Sequence, residues 1–217
     1  GHLLKDYPNI YFHTDATQAI GKININFENV DLITFAPHKF YGINGIGVLV
    51  KKKNVNLVPI INGGKSTTVY RSGTPVTALI ASAAKALEIA FNSKEERYAH
   101  ALELNKMIIE HLKKYSFIHV NNTDKSIPFT INFSIKGVNS SVFAKLLEKH
   151  EVYVSTKTSC CPENTFSKMV YALTRDKTLA STSIRVSVSH LTTVEEIVEF
   201  LRIFDKCIEE LKSNGKI

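Results

Sequence analysis

The sequence predicts an α/β protein built in two parts, and three observations carry that reading. In the first part, short β-favouring apolar runs at residues 10–12, 30–36 and 46–50 alternate with polar loops. A long Ala-, Leu- and Ile-rich helical pattern over 76–91 closes that part. Beyond Asn92-Ser93, strands and helices mix in a compact α+β pattern that ends in an amphipathic helix over 193–211. The expected domains are therefore 1–92 and 93–217. A chain of 217 residues, 44% of them hydrophobic, can bury one sizeable core or two small ones.

Taken in order, the run at 10–12 breaks at His13-Thr14-Asp15 and reads as a strand ending in polar residues. Strand ends in α/β proteins are where ligand-contacting groups gather. Asp15-Ala16-Thr17-Gln18 then opens a short helical or turn segment, in which Asp15 alone reads as a helix N-cap. The stretch 31–47, DLITFAPHKFYGINGIG, sets His38-Lys39 between two buried-strand patterns. A lysine there has two readings. The common one is a surface loop lysine, because burying an unpaired ammonium is costly. The other is an amine held in a pocket to form a Schiff base with a carbonyl cofactor. Residues 57–61 make a further short apolar run ending at Asn62-Gly63-Gly64, and the polar stretch after it contains Arg71-Ser72-Gly73-Thr74. Pro75 is expected in the first turn of the long helix, where its missing N–H is not needed. Ser93, followed by Glu95-Glu96, predicts the N-cap of a second helix that runs to about Tyr115.

In the second part, 117–120 and 129–135 read as strands. The latter alternates Phe129, Ile131, Phe133 and Ile135 against Thr130, Asn132 and Ser134. A helix is expected over 139–149 and a short strand over 152–154. Residues 155–165 form a polar loop carrying Cys160 and Cys161. A helix over 166–173 and a strand over 183–188, with Arg185 inside it, complete the pattern before the last helix.

Composition excludes several classes. Charged residues are 22% and Gly and Pro are few, which does not describe a disordered chain. No apolar run approaches the ~18 residues needed to cross a membrane. The first nine residues lack the basic-then-apolar order of a signal peptide. Three cysteines without an export signal suggest a reducing compartment, so a cytoplasmic location is expected. No CxxC or Cys/His ladder points to a metal, and Cys207, in a helical pattern, reads as a core residue. The net charge is +7, but the run Lys51-Lys52-Lys53 follows a strand and reads as a solvated strand end. No nucleic-acid partner is expected.

Five stretches together resemble one family. HTDATQAIGK, APHKFYGINGIGVLV, YRSGTPV, VSTKTSCC and STSIRVSVSHLTT follow the motif order of NifS/IscS-type cysteine desulfurases, class V aminotransferase-like enzymes that use pyridoxal 5'-phosphate. The resemblance covers nearly the whole chain, from about Ile10 to Leu211. It implies the C-terminal portion of a fold-type-I pyridoxal-phosphate-dependent transferase: part of the large-domain sheet plus a small α+β domain. It also implies roles. Lys39 would carry the cofactor and later shuttle a proton, and Asp15 would keep the ring nitrogen protonated so that the ring acts as an electron sink. Gln18 would donate to the ring's phenolic oxygen, and His38 would serve the phosphate end or the local proton network. Thr74 would reach the phosphate of a second subunit's cofactor, implying a homodimer. Arg185 would pair with the carboxylate of the L-cysteine substrate. Cys160 would be the nucleophile that takes the sulfur as a persulfide for an acceptor protein, with Cys161 a bystander or back-up.

The chain also departs from the family pattern. Ala36 stands where the family has a serine, and Pro37 follows it. Asn62-Gly63-Gly64-Lys65-Ser66-Thr67 replaces a GGGQE-like stretch, with Ser66 or Thr67 to compensate for the lost hydroxyl. Thr156-Lys157-Thr158-Ser159 precedes Cys160 in place of Ser-Gly-Ser-Ala. The family's N-terminal part, which cradles the phosphate on a helix N-terminus and stacks a histidine on the ring, has no counterpart in this sequence. Weak cofactor retention by this chain alone is the expectation. Two other readings compete: another class V enzyme, such as a selenocysteine lyase or an aminotransferase, and a truncated non-catalytic interaction fragment.

Overall fold

Two parallel strand ends set the layout of the first half of the molecule. The structure, a computed structural model, describes residues 1–64, 68–156 and 165–215. It divides into two units, Gly1–Glu96 and Arg97–Ile217. In the first unit β1 (His13–Asp15) pairs in parallel with β2 (Leu32–Phe35), and β2 pairs antiparallel with β3 (Val48–Lys51). The expected strand at 10–12 thus begins later. Phe12 joins the sheet only through its backbone: its N–H donates to Asp31 Oδ2 at 2.9 Å and its carbonyl accepts from Asp31 and Leu32. The paired register opens at His13 opposite Leu32.

Ile33 and Phe35 of β2 point into a small core with Ala16, Ile20, Phe40 and Ala90. Ala90 belongs to α1 (Thr77–Asn92), which buries only Ala83 and Ala90 and leaves Ile80, Ile89 and Phe91 exposed. Gly21 lets the segment after β1 approach this helix. Its φ is +73°, and a Cβ there would stand 2.8 Å from the Cβ of Ala90. In the apolar run 57–61, Val58 and Ile60 face solvent. Three expectations need correction here. β3 is not a buried strand, since Leu49 and Val50 are about half exposed. Pro75 lies one residue before the Val76 cap, outside the first turn of α1. Ser93 does not cap the following helix: its N–H and Oγ both donate to the Ile89 carbonyl, at 3.0 and 2.8 Å, so the side chain closes α1.

The second unit is an antiparallel sheet with one apolar face. Its order is β4 (Ile118–Val120), β5 (Thr130–Ile135), β6 (Ser183–Ser187). Alternation along β5 sends Ile131, Phe133 and Ile135 into a core built with α2 (Lys94–Leu112), α3 (Ser140–Glu148) and α6 (Val194–Ser213). Phe204 of α6 is fully buried, with the rings of Phe133, Phe143, Phe200 and Tyr115 centred 5.3 to 6.0 Å away. Cys207, one turn on, is also fully buried.

Helix starts in this unit follow the capping residues. Asn139 Oδ1 accepts from Ser141 and Val142. Thr193 and Glu196 form a reciprocal capping box at the start of α6. The expected strand at 152–154 is absent. After Glu151, which turns the chain at φ 60°, only Ser155 among the described residues of this stretch bridges to β6, opposite Arg185. Two short helices, α4 (Lys168–Thr174) and α5 (Lys177–Ser181), lead into β6. Among the described residues no helix is long and apolar enough to cross a membrane.

Candidate active site

Because β1 and β2 run in parallel, their C-terminal ends lie side by side, with Asp15 opposite Thr34. Asp15 ends β1. The chain leaving β2 passes Ala36 into a short 3-10 turn, Pro37–Phe40, that carries His38 and Lys39. Pro37 suits the first position of that turn, and Tyr41 ends it in the left-handed region at φ 72°. The Gly42 N–H donates back to the Pro37 carbonyl at 2.9 Å. The carboxylate and the amine are thus delivered from two adjacent strand ends, the usual place for ligand-binding groups in parallel sheets.

Asp15 Oδ1 accepts the Thr17 N–H at 2.9 Å, a local turn rather than a helix cap. Hydrogen bonds from the Thr17 side chain and backbone lower the Asp15 pKa below its ordinary value, so the carboxylate stays ionised. Gln18 lies in the turn that follows. Its Oε1 accepts from Lys22 Nζ at 2.7 Å. Lysine can only donate, so this contact fixes which end of the amide faces it and turns the Gln18 NH2 the other way. Burial, and next the nearby charge of Lys39, push the Lys22 pKa down. Sequence reasoning missed Lys22; its signal was the Gly-Lys that ends HTDATQAIGK. Lys39 and His38 are both exposed, so within this chain Lys39 is not the pocketed amine of the sharper reading.

Thr74 is placed elsewhere in the first unit. It lines a cavity of about 380 Å³ with Gly45, Gly47, Arg71 and Leu79, and neither Asp15 nor Lys39 lines that cavity. In the second unit Arg185 sits mid-strand on β6, paired with Asn132 of β5. Its Nη2 donates to Ser155 Oγ at 3.2 Å, and its buried Nε has no hydrogen-bond partner among the described residues. Arg185 lines a second cavity, of about 490 Å³. Cys160, Cys161, Ser66 and Thr67 lie outside the described residues. No group of His, Cys, Asp and Glu side chains able to hold a metal occurs among those described.

The sequence profile described as Aminotransferase class-V matches residues 1–200. The chain belongs to the class V aminotransferase family. A "NifS/IcsS protein homolog" from Lactobacillus delbrueckii subsp. bulgaricus is 31% identical over 210 residues, 94% of this chain and 54% of that protein. A "Cysteine desulfurase, mitosomal" from Encephalitozoon cuniculi is 34% identical over 194 residues, 87% of this chain and 44% of that one. A solved structure described as "NIFS-LIKE PROTEIN" superposes with a TM-score of 0.85 at 29% identity, over 96% of this chain and 55% of the other. The chain therefore spans about half the length of the relatives it matches.

Members of this class V family generally depend on pyridoxal phosphate, and the donor set of the first unit fits that group. An ionised carboxylate suits a cationic ring nitrogen, an amide NH2 suits a phenolate oxygen, and a primary amine stands at the adjacent strand end. The phosphate end is less complete, since Ala36 has no hydroxyl to offer.

Proposed function

We propose that this chain serves as the C-terminal portion of a pyridoxal-phosphate-dependent cysteine desulfurase. The observation that carries the reading is the delivery of Asp15, Gln18 and Lys39 from the C-terminal ends of two adjacent parallel strands. The names of the relatives support it, and so do Arg185 and the Cys160 of the VSTKTSCC stretch. In this reading residues 1–92 are part of the cofactor-binding domain and 93–217 the small domain with the nucleophile.

Pyridoxal phosphate, when bound, supplies a carbonyl for the substrate amine and a sink for electrons. The chain's own residues do the rest. The Asp15 carboxylate holds a proton on the ring nitrogen, and Gln18, turned by Lys22, donates to the ring oxygen. The Lys39 amine takes and returns a proton at the substrate α-carbon, with His38 beside it in the proton network. Arg185 holds the substrate carboxylate. The Cys160 thiolate attacks the substrate sulfur. A sulfur–sulfur bond forms as the carbon–sulfur bond breaks, the electron pair stays with the carbon, and protonation leaves L-alanine. The persulfide on Cys160 then passes to an acceptor protein for iron–sulfur cluster assembly or tRNA thiolation. Thr74, in a cavity that Lys39 does not line, is assigned to the cofactor phosphate of a second subunit in a homodimer. The cytoplasm is the assigned location.

The test is turnover of L-cysteine by the full-length protein. With dithiothreitol present to reduce the Cys160 persulfide, alanine and sulfide are expected in equal amounts, lost in Cys160→Ala and kept in Cys161→Ala. Undiminished turnover in Cys160→Ala, or amino-group transfer without sulfide, overturns the reading in favour of another class V activity.

A further inference from the structure

The sheet of the second unit has a polar face as ordered as its apolar one. Thr130, Asn132 and Ser134 of β5 share that face with Ser183, Arg185 and Ser187 of β6, each directly paired. Asn132 and Arg185 face one another in this register. The backbone bonds Ile135 N–H to Thr182 O and Val188 N–H to Phe129 O mark the alternate pairs as the hydrogen-bonded ones. Asn132–Arg185 is therefore a non-hydrogen-bonded pair, the kind in which facing side chains lie closest. Both line the cavity of about 490 Å³, whose other walls include Val170, Leu173 and Thr156.

A chain of hydrogen bonds fixes how Asn132 presents its amide. Ser134 Oγ donates its one proton to the Leu179 carbonyl at 2.7 Å. It can then only accept, and it accepts from Asn121 Nδ2 at 2.9 Å. The other Asn121 N–H goes to Asn132 Oδ1 at 2.7 Å. Asn132 has thus committed its oxygen, and its NH2 has no partner among the described residues. Next to it stands a guanidinium held at one corner by Ser155. Two donors, one charged, lie side by side on one face, and a carboxylate with two oxygens is the group that satisfies both.

We propose that Asn132 is a second donor to the ligand carboxylate beside Arg185, with Ser134 and Asn121 as the positioning residues that set its amide. This rests on the reading of Arg185 as the carboxylate partner. It names the carboxylate-bearing amino acid as the cavity's ligand class and makes Asn132 a determinant of its affinity.

The test titrates the purified, isotope-labelled chain with L-alanine and, separately, with L-alaninol, which lacks the carboxylate, following the side-chain NMR signals of Asn132 and Arg185. L-Alanine is expected to shift both signals. Asn132→Ala should weaken L-alanine binding roughly tenfold and leave L-alaninol unaffected. Asn132→Asp, of the same shape but anionic, should weaken it further, with recovery as the pH falls and the new carboxyl is protonated. Circular dichroism melts confirm that each variant folds. If Arg185→Gln abolishes L-alanine binding while Asn132→Ala binds like the wild type, the role of Asn132 is wrong and that of Arg185 stands. If Arg185→Gln binds unchanged, or L-alanine moves neither signal, both assignments fall.

Discussion

Replacing Gly21 with alanine tests how the Asp15–Gln18 turn is held against α1. Two costs are written in the structure. The residue sits at φ +73°, where an L side chain loses roughly 1 kcal/mol relative to glycine. The new methyl also lands 2.8 Å from the Cβ of Ala90, about 1 Å inside a comfortable carbon–carbon separation. Ala90 is fully buried on a helix and has little room to retreat. Overpacking of this kind costs about 1–3 kcal/mol. The sum, about 2–4 kcal/mol, should fall on the first unit. Native-state hydrogen exchange reads it there. The Ala16 and Ile20 amides, bonded to Thr34 and Ala16 carbonyls at 2.8 and 2.9 Å, should lose protection by roughly 30- to 800-fold. Ala90→Gly separates the two terms. In that background Gly21→Ala should cost only the backbone part, roughly 1 kcal/mol. An equal cost in both backgrounds would refute the contact with Ala90, and unchanged protection in the single variant would refute the whole argument.

Other outcomes follow from the same reasoning. Phe204→Ala, which empties the centre of the aromatic cluster, should lower the stability of the second unit by about 3–5 kcal/mol in urea titration. Thr193→Ala breaks the capping box and should cost about 1 kcal/mol in the same assay, largely restored by Thr193→Ser. Burial raises the Cys207 thiol from 9.0 to about 11, so its contribution to stability is complete below pH 9 and is lost as the pH rises towards 11. A thiol reagent at pH 8 should therefore modify Cys207 only after unfolding, and rapid native-state labelling would contradict its burial. With Asp15, Gln18 and Lys39 all exposed, the isolated chain should retain little pyridoxal phosphate after gel filtration. A stoichiometric, borohydride-reducible band would show that these residues suffice.

The second unit was the more legible in the sequence, because its signals are local. The Phe-Ile-Phe-Ile alternation placed β5 and its buried face, and the helical patterns over 139–149 and 193–211 placed α3 and α6. Errors came where a tertiary partner decides. Residues 10–12 have strand composition, yet the parallel pairing with β2 begins at His13. Residues 152–154 look like a strand, but β6 offers them only the Ser155 bridge. Ser93 carries a capping side chain that the end of the preceding helix uses first. For the site, motif order pointed to Asp15, Gln18, Lys39 and Arg185 as candidates. It could not show that Lys22 orients Gln18, or that Asn132 stands opposite Arg185, because those facts depend on a turn and a register. Lys39 is exposed for a related reason: a pocket needs walls on every side, and one strand end supplies a single side.

The two-faced sheet of the second unit ties chemistry to folding through parity. Side chains alternate with a period of two, so a slip of β6 by one residue would drive the Arg185 guanidinium into the Phe133–Phe204 core and push Ile184 and Val186 out over the cavity. No partly functional neighbour exists along that coordinate. The energy that excludes a mispaired strand also proofreads the position of the charge, so any molecule that has folded has already placed its arginine.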